Sequence, residues 1–204
     1  MEEGKKGGLL IVVSGPAGTG KGTVIRALLK KNSGIKVLPS VTTRNPRKGE
    51  KEGIHYYFKT REEFERMIEN NEFVEWVDYC ENYYGTPAKQ LEESLESGID
   101  IIMEKEVEGA IKIKERYPDS VLIFLLPPSF YELKRRIMSR GAEDTPVIDK
   151  RLRRASEEIN YAGRYDYVVT NKRVEDAADN INCIIKAEKL KAFRNIDILK
   201  EISL

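Results

Sequence analysis

Histidine and cysteine are scarce in this chain of 204 residues: His55 is its single histidine, and Cys80 and Cys183 are its two cysteines. A single histidine argues against histidine-based catalytic triads and metal clusters, and two unpatterned thiols form neither a disulfide framework nor a zinc site. No apolar run approaches the ~18 residues of a membrane-spanning helix, and the first residues lack the long apolar region of a signal peptide. We therefore expect a soluble, cytoplasmic protein.

An excess of charge of either sign is also lacking, since 35 lysines and arginines face 34 aspartates and glutamates, for a net charge of +1. The chain therefore has no overall basic field that would point to a nucleic acid or a membrane as its partner. Hydrophobic residues, at 40% of the sequence, are numerous enough for a buried core. At this length we expect one domain, or one domain with an insertion.

Residues 9–23, LLIVVSGPAGTGKGT, contain the strongest functional signal. The apolar run at 9–13 predicts a strand that is buried on both faces, and an amphipathic helix follows the glycine-rich turn. The backbone N–H groups of such a turn point into one concavity, and the helix N-terminus adds partial positive charge. Because Lys21 supplies an ammonium, the stretch predicts a cradle for the phosphates of ATP. Its residues are Gly15, Pro16, Ala17, Gly18, Thr19, Gly20, Lys21, Gly22 and Thr23.

The cradle departs from the usual pattern at one position. A serine or threonine normally follows the lysine and holds magnesium, whereas here Gly22 follows Lys21 and the hydroxyl comes one residue later, on Thr23. In this respect the loop resembles that of nucleoside monophosphate kinases, which implies a Mg²⁺ ion held largely by water and phosphate. A glycine-rich turn that binds nothing is the alternative, but the spacing and the strand–turn–helix context together favour a nucleotide site.

Between residues 35 and 95 the sequence changes from long apolar runs to short segments of alternating polar and aromatic residues. We predict strands at residues 40–44, 54–58, 73–79 and 83–85. These strands indicate an inserted, β-rich subdomain over about residues 36–90.

Two helices are predicted around these strands. Thr60 and Glu63 have the spacing of a capping box, in which each side chain satisfies a backbone N–H group at the start of a helix. Thr86 and Pro87 predict the start of the second helix, with the threonine as N-cap and the proline at the first helical position.

Three segments of this subdomain, SVTTRNPRKGEKEGIHYYF, NNEFVEW and NYYGTP, resemble the nucleotide-acceptor domain of guanylate kinases. With the phosphate cradle and the arginine-rich helices that come later, the resemblance extends over about residues 9–191. It implies an α/β fold in which a parallel sheet flanked by helices carries a small GMP-binding insertion and a helical lid. It also implies an enzyme that transfers the γ-phosphate of ATP to GMP, giving ADP and GDP, with Mg²⁺ accompanying the ATP.

Arginines in the first of these segments suit an acceptor phosphate. A monophosphate carries nearly two negative charges, and Arg44 and Arg47 supply two guanidinium groups that can grip it. In isolation, solvated surface charge is the simpler explanation for two loop arginines. The resemblance assigns both to the GMP phosphate and implies that Ser40, Tyr56 and Tyr84 complete the phosphate shell.

Acidic side chains suit the guanine base, which presents two donors, N1–H and the exocyclic amine, on its Watson–Crick edge. The resemblance implies that Glu75 reads these donors, with the Thr86 hydroxyl near the base. Thr86 as a helix cap alone is the alternative, and both roles can coexist. Glu106 would reach the guanine edge as the family's aspartate does.

Residues 99–103 predict a buried strand, and EKEVEG at 104–109 follows it. The family typically has an acidic residue, an apolar residue, Asp, any residue, Gln and Gly at this place. Carboxylates at the carboxyl end of such a strand lie beside the ligand crevice, so we expect Glu104 to organise Mg²⁺ through water. Because side chains alternate along a strand, we expect Lys105 to face the packed helices, opposite Glu104 and Glu106. There it would have to snorkel, pair with an acid or destabilise the fold.

Arginines are concentrated in the two helices that follow the predicted strand at residues 121–126. Ser129 and Glu132 predict a capping box for the first of these helices. The arginine-rich pair of helices resembles the mobile lid of guanylate kinases and places that lid at about residues 138–160. Such a lid neutralises charge on the transferring group and excludes water.

The resemblance implies that Arg140 and Arg151 contact the ATP phosphates, and it leaves Arg136 open. Arg153 and Arg154 are better explained as partners of acidic residues at 157 and 158 on the same helix. Residues 165–171 predict the last strand, and the resemblance places Asn171 beside the adenine of ATP. The family usually continues with two aspartates, whereas this chain has Lys172 and Arg173, which changes the local charge. An amphipathic helix with Val174, Ala178, Ile181 and Ile185 on its inner face then closes the fold.

We therefore expect one guanylate-kinase-like domain with a core of residues 9–35 and 91–192, and a role in purine nucleotide metabolism. Transfer to an anionic phosphate oxygen needs positioning and charge neutralisation more than a protein base. The resemblance implies these tasks for Lys21, Arg44, Arg47, Arg140 and Arg151. Two alternatives stay open: a non-catalytic guanylate-kinase-like module that binds phosphorylated peptides, and a kinase for another nucleoside monophosphate.

Overall fold

The computed structural model describes residues 7–79, 81–138 and 145–196. Two sheets account for the strands of these residues, and helices separate most of them. The strands are β1 (Leu10–Ser14), β2 (Ile35–Val37), β3 (Ser40–Thr42), β4 (Tyr56–Phe58), β5 (Phe73–Tyr79), β6 (Asn82–Pro87), β7 (Asp100–Glu104), β8 (Val121–Leu126) and β9 (Tyr167–Thr170). The helices are α1 (Lys21–Lys31), α2 (Arg61–Glu69), α3 (Ala88–Glu96), α4 (Val107–Arg116), α5 (Phe130–Met138), α6 (Thr145–Ile159) and α7 (Val174–Lys189).

The first sheet is parallel throughout and has the strand order β2-β7-β1-β8-β9. Every residue of β1 is buried, which confirms the prediction of a strand covered on both faces. Ile11 and Val13 pack with α1 and α7 on one face, whereas Leu10 and Val12 pack with α3 and α4 on the other. The sheet thus has helices on both faces, and its carboxyl-terminal edge carries the loops that follow β1, β7 and β9.

The second sheet has the order β4-β3-β6-β5 and is mixed, with one parallel and two antiparallel pairs. Helix α2 covers it, and the rings of Phe64 and Phe73 stack with their centroids 4.3 Å apart. The predicted capping box is confirmed: the Glu63 N–H donates to the Thr60 hydroxyl, and the Thr60 N–H donates to the Glu63 carboxylate. Strand β2 belongs to the first sheet, so the second sheet begins at β3.

The prediction that Thr86 caps a helix with Pro87 at its first position is wrong. Helix α3 begins at Ala88, Pro87 is its N-cap, and no side chain caps it. The reason is tertiary: β6 pairs with β5 as far as Pro87, which lies opposite Phe73, so the backbone stays extended through both residues. The Thr86 side chain consequently lies inside the second sheet and not at a helix end.

Helices α5 and α6 pack on each other through a small apolar cluster that includes Leu133, Ile137 and Ala155. The Ser129 hydroxyl accepts the Glu132 N–H at 3.1 Å, which is one of the two hydrogen bonds of the predicted capping box. The proposed ATP ligand Arg140 lies outside the described residues, as does Cys80. In the described part of the chain, no helix is long and apolar enough to span a membrane.

Candidate active site

The glycine-rich loop connects the end of β1 to the start of α1, as the sequence predicts. Gly20 is the N-cap of α1 and has a φ of 90°, in the left-handed region that side chains disfavour. A Cβ atom at this position would also lie 2.8 Å from the Asn171 amide nitrogen. Glycine therefore permits both the turn and the close approach of β9 to the helix N-terminus.

Lys21 is buried within this loop and holds the loop's own backbone. Its Nζ donates to the Gly15 carbonyl oxygen at 2.6 Å and approaches that of Pro16 at 3.5 Å. The Thr19 hydroxyl also donates to the Pro16 oxygen, at 2.9 Å. An anion in the concavity would meet an ammonium that is already in place and that, among the described residues, is hydrogen-bonded only to neutral carbonyl groups.

Gly22, the departure from the usual loop pattern, has a structural counterpart in Glu104. A Cβ atom at residue 22 would lie 3.0 Å from the Glu104 Oε2, so the missing side chain leaves room for that carboxylate. The hydroxyl of Thr23, on the next residue, accepts a hydrogen bond from Arg26 at 3.2 Å. A carboxylate and a hydroxyl beside the loop are oxygen ligands that suit Mg²⁺, which keeps several waters and uses few protein groups. The described residues contain no cluster of three or more histidine, cysteine, aspartate or glutamate side chains that could hold a metal ion.

Asn171 and Arg136 form the far side of the loop, around a small cavity of about 240 Å³. The Asn171 amide donates to the Thr19 carbonyl at 2.8 Å, and its Oδ1 is buried without a hydrogen-bond partner among the described residues. Arg136 donates to the backbone oxygens of Thr19 and Asn171, at 3.4 and 3.3 Å. The cavity thus has an amide oxygen and a guanidinium in its wall, which suits the base and sugar of a nucleotide.

A larger cleft of about 1230 Å³ lies between the second sheet, the end of β7 and helix α6. It brings together residues that are far apart in the sequence, as the resemblance implies. The predicted site residues in its wall are Ser40, Tyr56, Glu75, Tyr84, Glu104 and Glu106, and α6 contributes Lys150, Arg153, Arg154, Glu157 and Glu158.

At one end of the second sheet, Arg44 is paired with Glu50, a residue that the sequence analysis did not single out. Their closest side-chain atoms are 2.9 Å apart, and the guanidinium lies over the Tyr56 ring, 5.4 Å from its centroid. This hydrogen bond raises the pKa of Arg44 and lowers that of Glu50 from their ordinary values. Glu50 also accepts the Arg47 backbone N–H at 2.7 Å, and the Arg47 side chain is exposed on the same loop.

The Glu75 carboxylate lies deep in the cleft, and Glu75 is 6% exposed. Its Oε1 accepts a hydrogen bond from the Thr86 hydroxyl at 2.7 Å. Because Thr86 extends β6 and does not cap α3, its hydroxyl is free to reach this carboxylate. The other carboxylate oxygen of Glu75, Oε2, faces Gly109 on α4.

The prediction that Lys105 faces the packed helices is wrong. Its Nζ lies 2.6 Å from Glu75 Oε1, and it also donates to the Thr86 hydroxyl. Strand β7 ends at Glu104, so the alternation of faces does not extend to residue 105. Lys105 therefore enters the same cleft as Glu104 and Glu106 and pairs with a buried acid.

Helix α6 carries three of the arginines considered in the sequence analysis. Arg154 pairs with Glu158 at 2.9 Å, which confirms one of the predicted pairs along this helix. Burial raises the pKa of Glu158, although the hydrogen bond from Arg154 opposes that shift. Arg151 and Arg153 are exposed on the same helix, and Arg153 lines the cleft.

Three contacts of the site were not predicted: Glu50 with Arg44, Lys105 with Glu75, and Arg136 with the glycine-rich loop. The ion pair of Glu50 with Arg44 could have been predicted from the sequence, since an acid six residues after an arginine in a turn-rich loop can form a local ion pair. The other two join residues that are 30 and 117 positions apart, and no local pattern indicates them.

Comparisons with known proteins agree with this geometry. A family model described as Guanylate kinase matches residues 8–188. A guanylate kinase of Halalkalibacterium halodurans is 54% identical over 193 residues, which are 95% of each chain. One of Bacillus subtilis is 48% identical over 191 residues, 93% of this chain and 94% of that one.

A solved structure gives the same result in three dimensions. The crystal structure of guanylate kinase from Anaplasma phagocytophilum superimposes with a TM-score of 0.77 at 38% sequence identity, covering 97% of this chain and 95% of that chain. The match to the family model and to full-length relatives shows that this chain belongs to the guanylate kinase family.

Proposed function

We propose that the protein is an ATP:GMP phosphotransferase, which transfers the γ-phosphate of ATP to GMP and gives ADP and GDP. The observation that carries this proposal is the position of Glu104. Its carboxylate lies against Gly22 of the phosphate cradle and also lines the cleft that holds Glu75 and Tyr84. The donor and acceptor sites therefore meet at one side chain, as direct transfer between two nucleotides requires.

The acceptor GMP binds in the cleft of the insertion, which we propose spans about residues 36–90. Arg44 and Arg47 grip its phosphate, and Ser40, Tyr56 and Tyr84 complete the phosphate shell. Glu75 accepts the guanine donors with help from Glu106, while Thr86 supports the Glu75 carboxylate from behind. In this arrangement Arg44 exchanges its internal partner Glu50 for a dianionic phosphate, which is a stronger acceptor.

The donor ATP binds on the glycine-rich loop, residues 15–23, with its adenine near Asn171. Lys21 contacts the β- and γ-phosphates. We propose that Arg140 and Arg151, from a lid of about residues 138–160, add charge to the transferring group. A Mg²⁺ ion accompanies the ATP near Thr23 and Glu104, where it would neutralise phosphate charge.

Catalysis by this set of residues depends on positioning and charge. The nucleophile is an oxygen of the GMP phosphate that is already anionic, so no protein base is needed. Lys21 and the arginines neutralise charge as the bond to the β-phosphate breaks, and lid closure excludes water that would otherwise hydrolyse ATP. We place this reaction in cytoplasmic purine nucleotide metabolism.

A coupled assay that follows ADP release, with Mg-ATP and a panel of GMP, AMP, CMP and UMP, tests the proposal. We expect turnover with GMP and much less with the others. Turnover of another monophosphate in preference to GMP would contradict the assignment of the base pocket. No turnover with any of them, together with binding of a phosphorylated peptide, would support the non-catalytic alternative, which the intact cradle and the full-length relatives disfavour.

A further inference from the structure

Lys105 occupies a position of the acceptor pocket where the resemblance to the family implies an apolar residue. Its side chain is 12% exposed and that of Glu75 is 3% exposed, both residues line the cleft, and the ammonium lies 2.6 Å from Glu75 Oε1. Any base that approaches Glu75 from the cleft must therefore also meet this ammonium.

One N–H group of the Lys105 ammonium is not used in the hydrogen bonds of the described residues. A lysine ammonium carries three N–H groups. Within the described residues its side-chain hydrogen bonds go to Glu75 and Thr86, which use two of the three. Glu75 Oε1, in contrast, accepts from both Thr86 and Lys105, so both of its lone pairs are occupied.

The pair formed by Lys105 and Glu75 has the hydrogen-bonding order of a guanine partner. It presents a donor, Nζ, next to an acceptor, Oε1, and a second acceptor, Oε2. Guanine presents the complementary order along its Watson–Crick edge: the O6 acceptor, the N1–H donor and the exocyclic amine. Adenine presents an amine opposite the ammonium and a lone pair opposite the carboxylate, so both of its contacts are mismatched.

We infer that Lys105 is a specificity-determining residue that donates to O6 of guanine while Glu75 accepts the base N–H groups. This inference rests on the proposed function, since it concerns the same acceptor pocket. Both lone pairs of Glu75 Oε1 already accept hydrogen bonds. A base can therefore donate to this oxygen only if Thr86 or Lys105 gives up its hydrogen bond. A shift of Nζ from Oε1 to the neighbouring O6 frees the oxygen and keeps the ammonium hydrogen-bonded.

The test compares GMP with 6-thio-GMP, in which a weakly accepting sulfur replaces O6 and both base donors remain. We would measure kcat/KM for each nucleotide at saturating Mg-ATP, with wild type, Lys105→Met and Lys112→Met. The control Lys112→Met removes the same charge from an exposed position of α4. We expect wild type and the control to prefer GMP by about tenfold or more, since a charge-assisted hydrogen bond is lost with sulfur. Lys105→Met should reduce this preference to about twofold.

Each result decides the inference. Both nucleotides are compared on the same preparation, so the ratio does not depend on the folded fraction of a variant. If Lys105→Met cannot be purified, Lys105→Gln should narrow the preference in the same direction. A preference that Lys105→Met leaves unchanged, or equal use of both nucleotides by wild type, would show that Lys105 is only a counter-ion for Glu75. Those two outcomes would contradict this inference but not the proposed function. If wild type phosphorylates AMP but not GMP, the proposed function and this inference both fail.

Discussion

The phosphate cradle and the acceptor pocket differ in how their charges are held before a nucleotide binds. The cradle comes from one continuous segment, and its cation, Lys21, rests on neutral carbonyl oxygens. The acceptor pocket is assembled from separate segments, and two of its cations already have acidic partners: Arg44 has Glu50, and Lys105 has Glu75. A ligand therefore adds charge to the cradle but exchanges partners in the pocket.

This difference predicts different consequences for substitution in the two regions. Removing the cation of the cradle should mainly affect the chemical step, because within the described part of the chain Lys21 forms no ion pair and contacts carbonyl oxygens. Removing a charge from the pocket should affect recognition of GMP and, where the partner is buried, the stability of the fold.

The largest effect is expected for Lys21→Ala, which should lower kcat by roughly a thousandfold or more. Removal of one preorganised charge at a transition state costs ~3–4 kcal/mol. Steady-state kinetics at saturating ATP and GMP would measure it, with Lys30→Ala, an exposed lysine near the end of α1, as the control. Near-normal turnover of a folded Lys21→Ala protein would refute the role of the cradle.

The next effect concerns Glu75→Gln, which should lower kcat/KM for GMP by about a hundredfold and narrow the selectivity over AMP. The amide replaces one acceptor by a donor and leaves the Lys105 ammonium without its carboxylate. Kinetics with both nucleotides would show this, while the KM for ATP should stay the same. The control is Glu69→Gln, at the exposed end of α2. Similar kcat/KM values for GMP and AMP in wild type would mean that the pocket has another specificity.

Arg44→Lys should raise the KM for GMP by about tenfold, because an ammonium cannot make the paired hydrogen bonds of a guanidinium fork. The conservative change keeps the charge, so it separates geometry from electrostatics. GMP titrations at saturating ATP would measure the effect, with Arg66→Lys on the exposed side of α2 for comparison. An unchanged KM would show that the phosphate binds elsewhere.

Lys105→Ile should lower the unfolding midpoint by about 5 °C, at ~2–4 °C per kcal/mol for a protein of this size. It removes the ammonium from a buried carboxylate and leaves that charge unpaired. Thermal unfolding followed by circular dichroism would test this directly. A raised midpoint would instead support the expectation, drawn from strand alternation, that the lysine lies among apolar groups.

The smallest effect is expected at Glu132 on α5, whose ion pairs with Arg135 and Arg136 lie beside the cradle and involve no group of the acceptor pocket. Hydrogen bonds from Arg135 and Arg136 lower its pKa from 4.5 to about 2. A carboxylate with a lowered pKa stabilises the fold above its ordinary pKa, and this contribution disappears as the pH falls through about 2. Glu132→Gln should therefore lower the midpoint slightly at pH 7, and the difference from wild type should vanish between pH 4.5 and 2. A difference that persists at the lowest pH would contradict this account.

Predictions from the sequence were most accurate where the interacting residues are neighbours in the chain. The glycine-rich turn between β1 and α1 and the capping box of Thr60 and Glu63 both depend on residues a few positions apart. Thr86 and Lys105 were misplaced because each lies at the end of a strand. There, a local pattern assigns a helix cap or a face, but pairing with another strand decides whether the extended backbone continues or ends.

By itself, the sequence determined the buried central strand, the glycine-rich turn into α1, the strand-rich segment that forms the second sheet and, through its motifs, the resemblance to guanylate kinases. These features follow from apolar periodicity, turn chemistry and contiguous motifs, which act over short stretches of chain. Only the tertiary structure decided which charges of the acceptor pocket are paired. Glu75 lies on β5 and Lys105 beyond the end of β7, in different sheets, and they meet because α4 packs against β5 next to the end of β7. Such a contact depends on the packing of whole elements, so no pattern of neighbouring residues contains it.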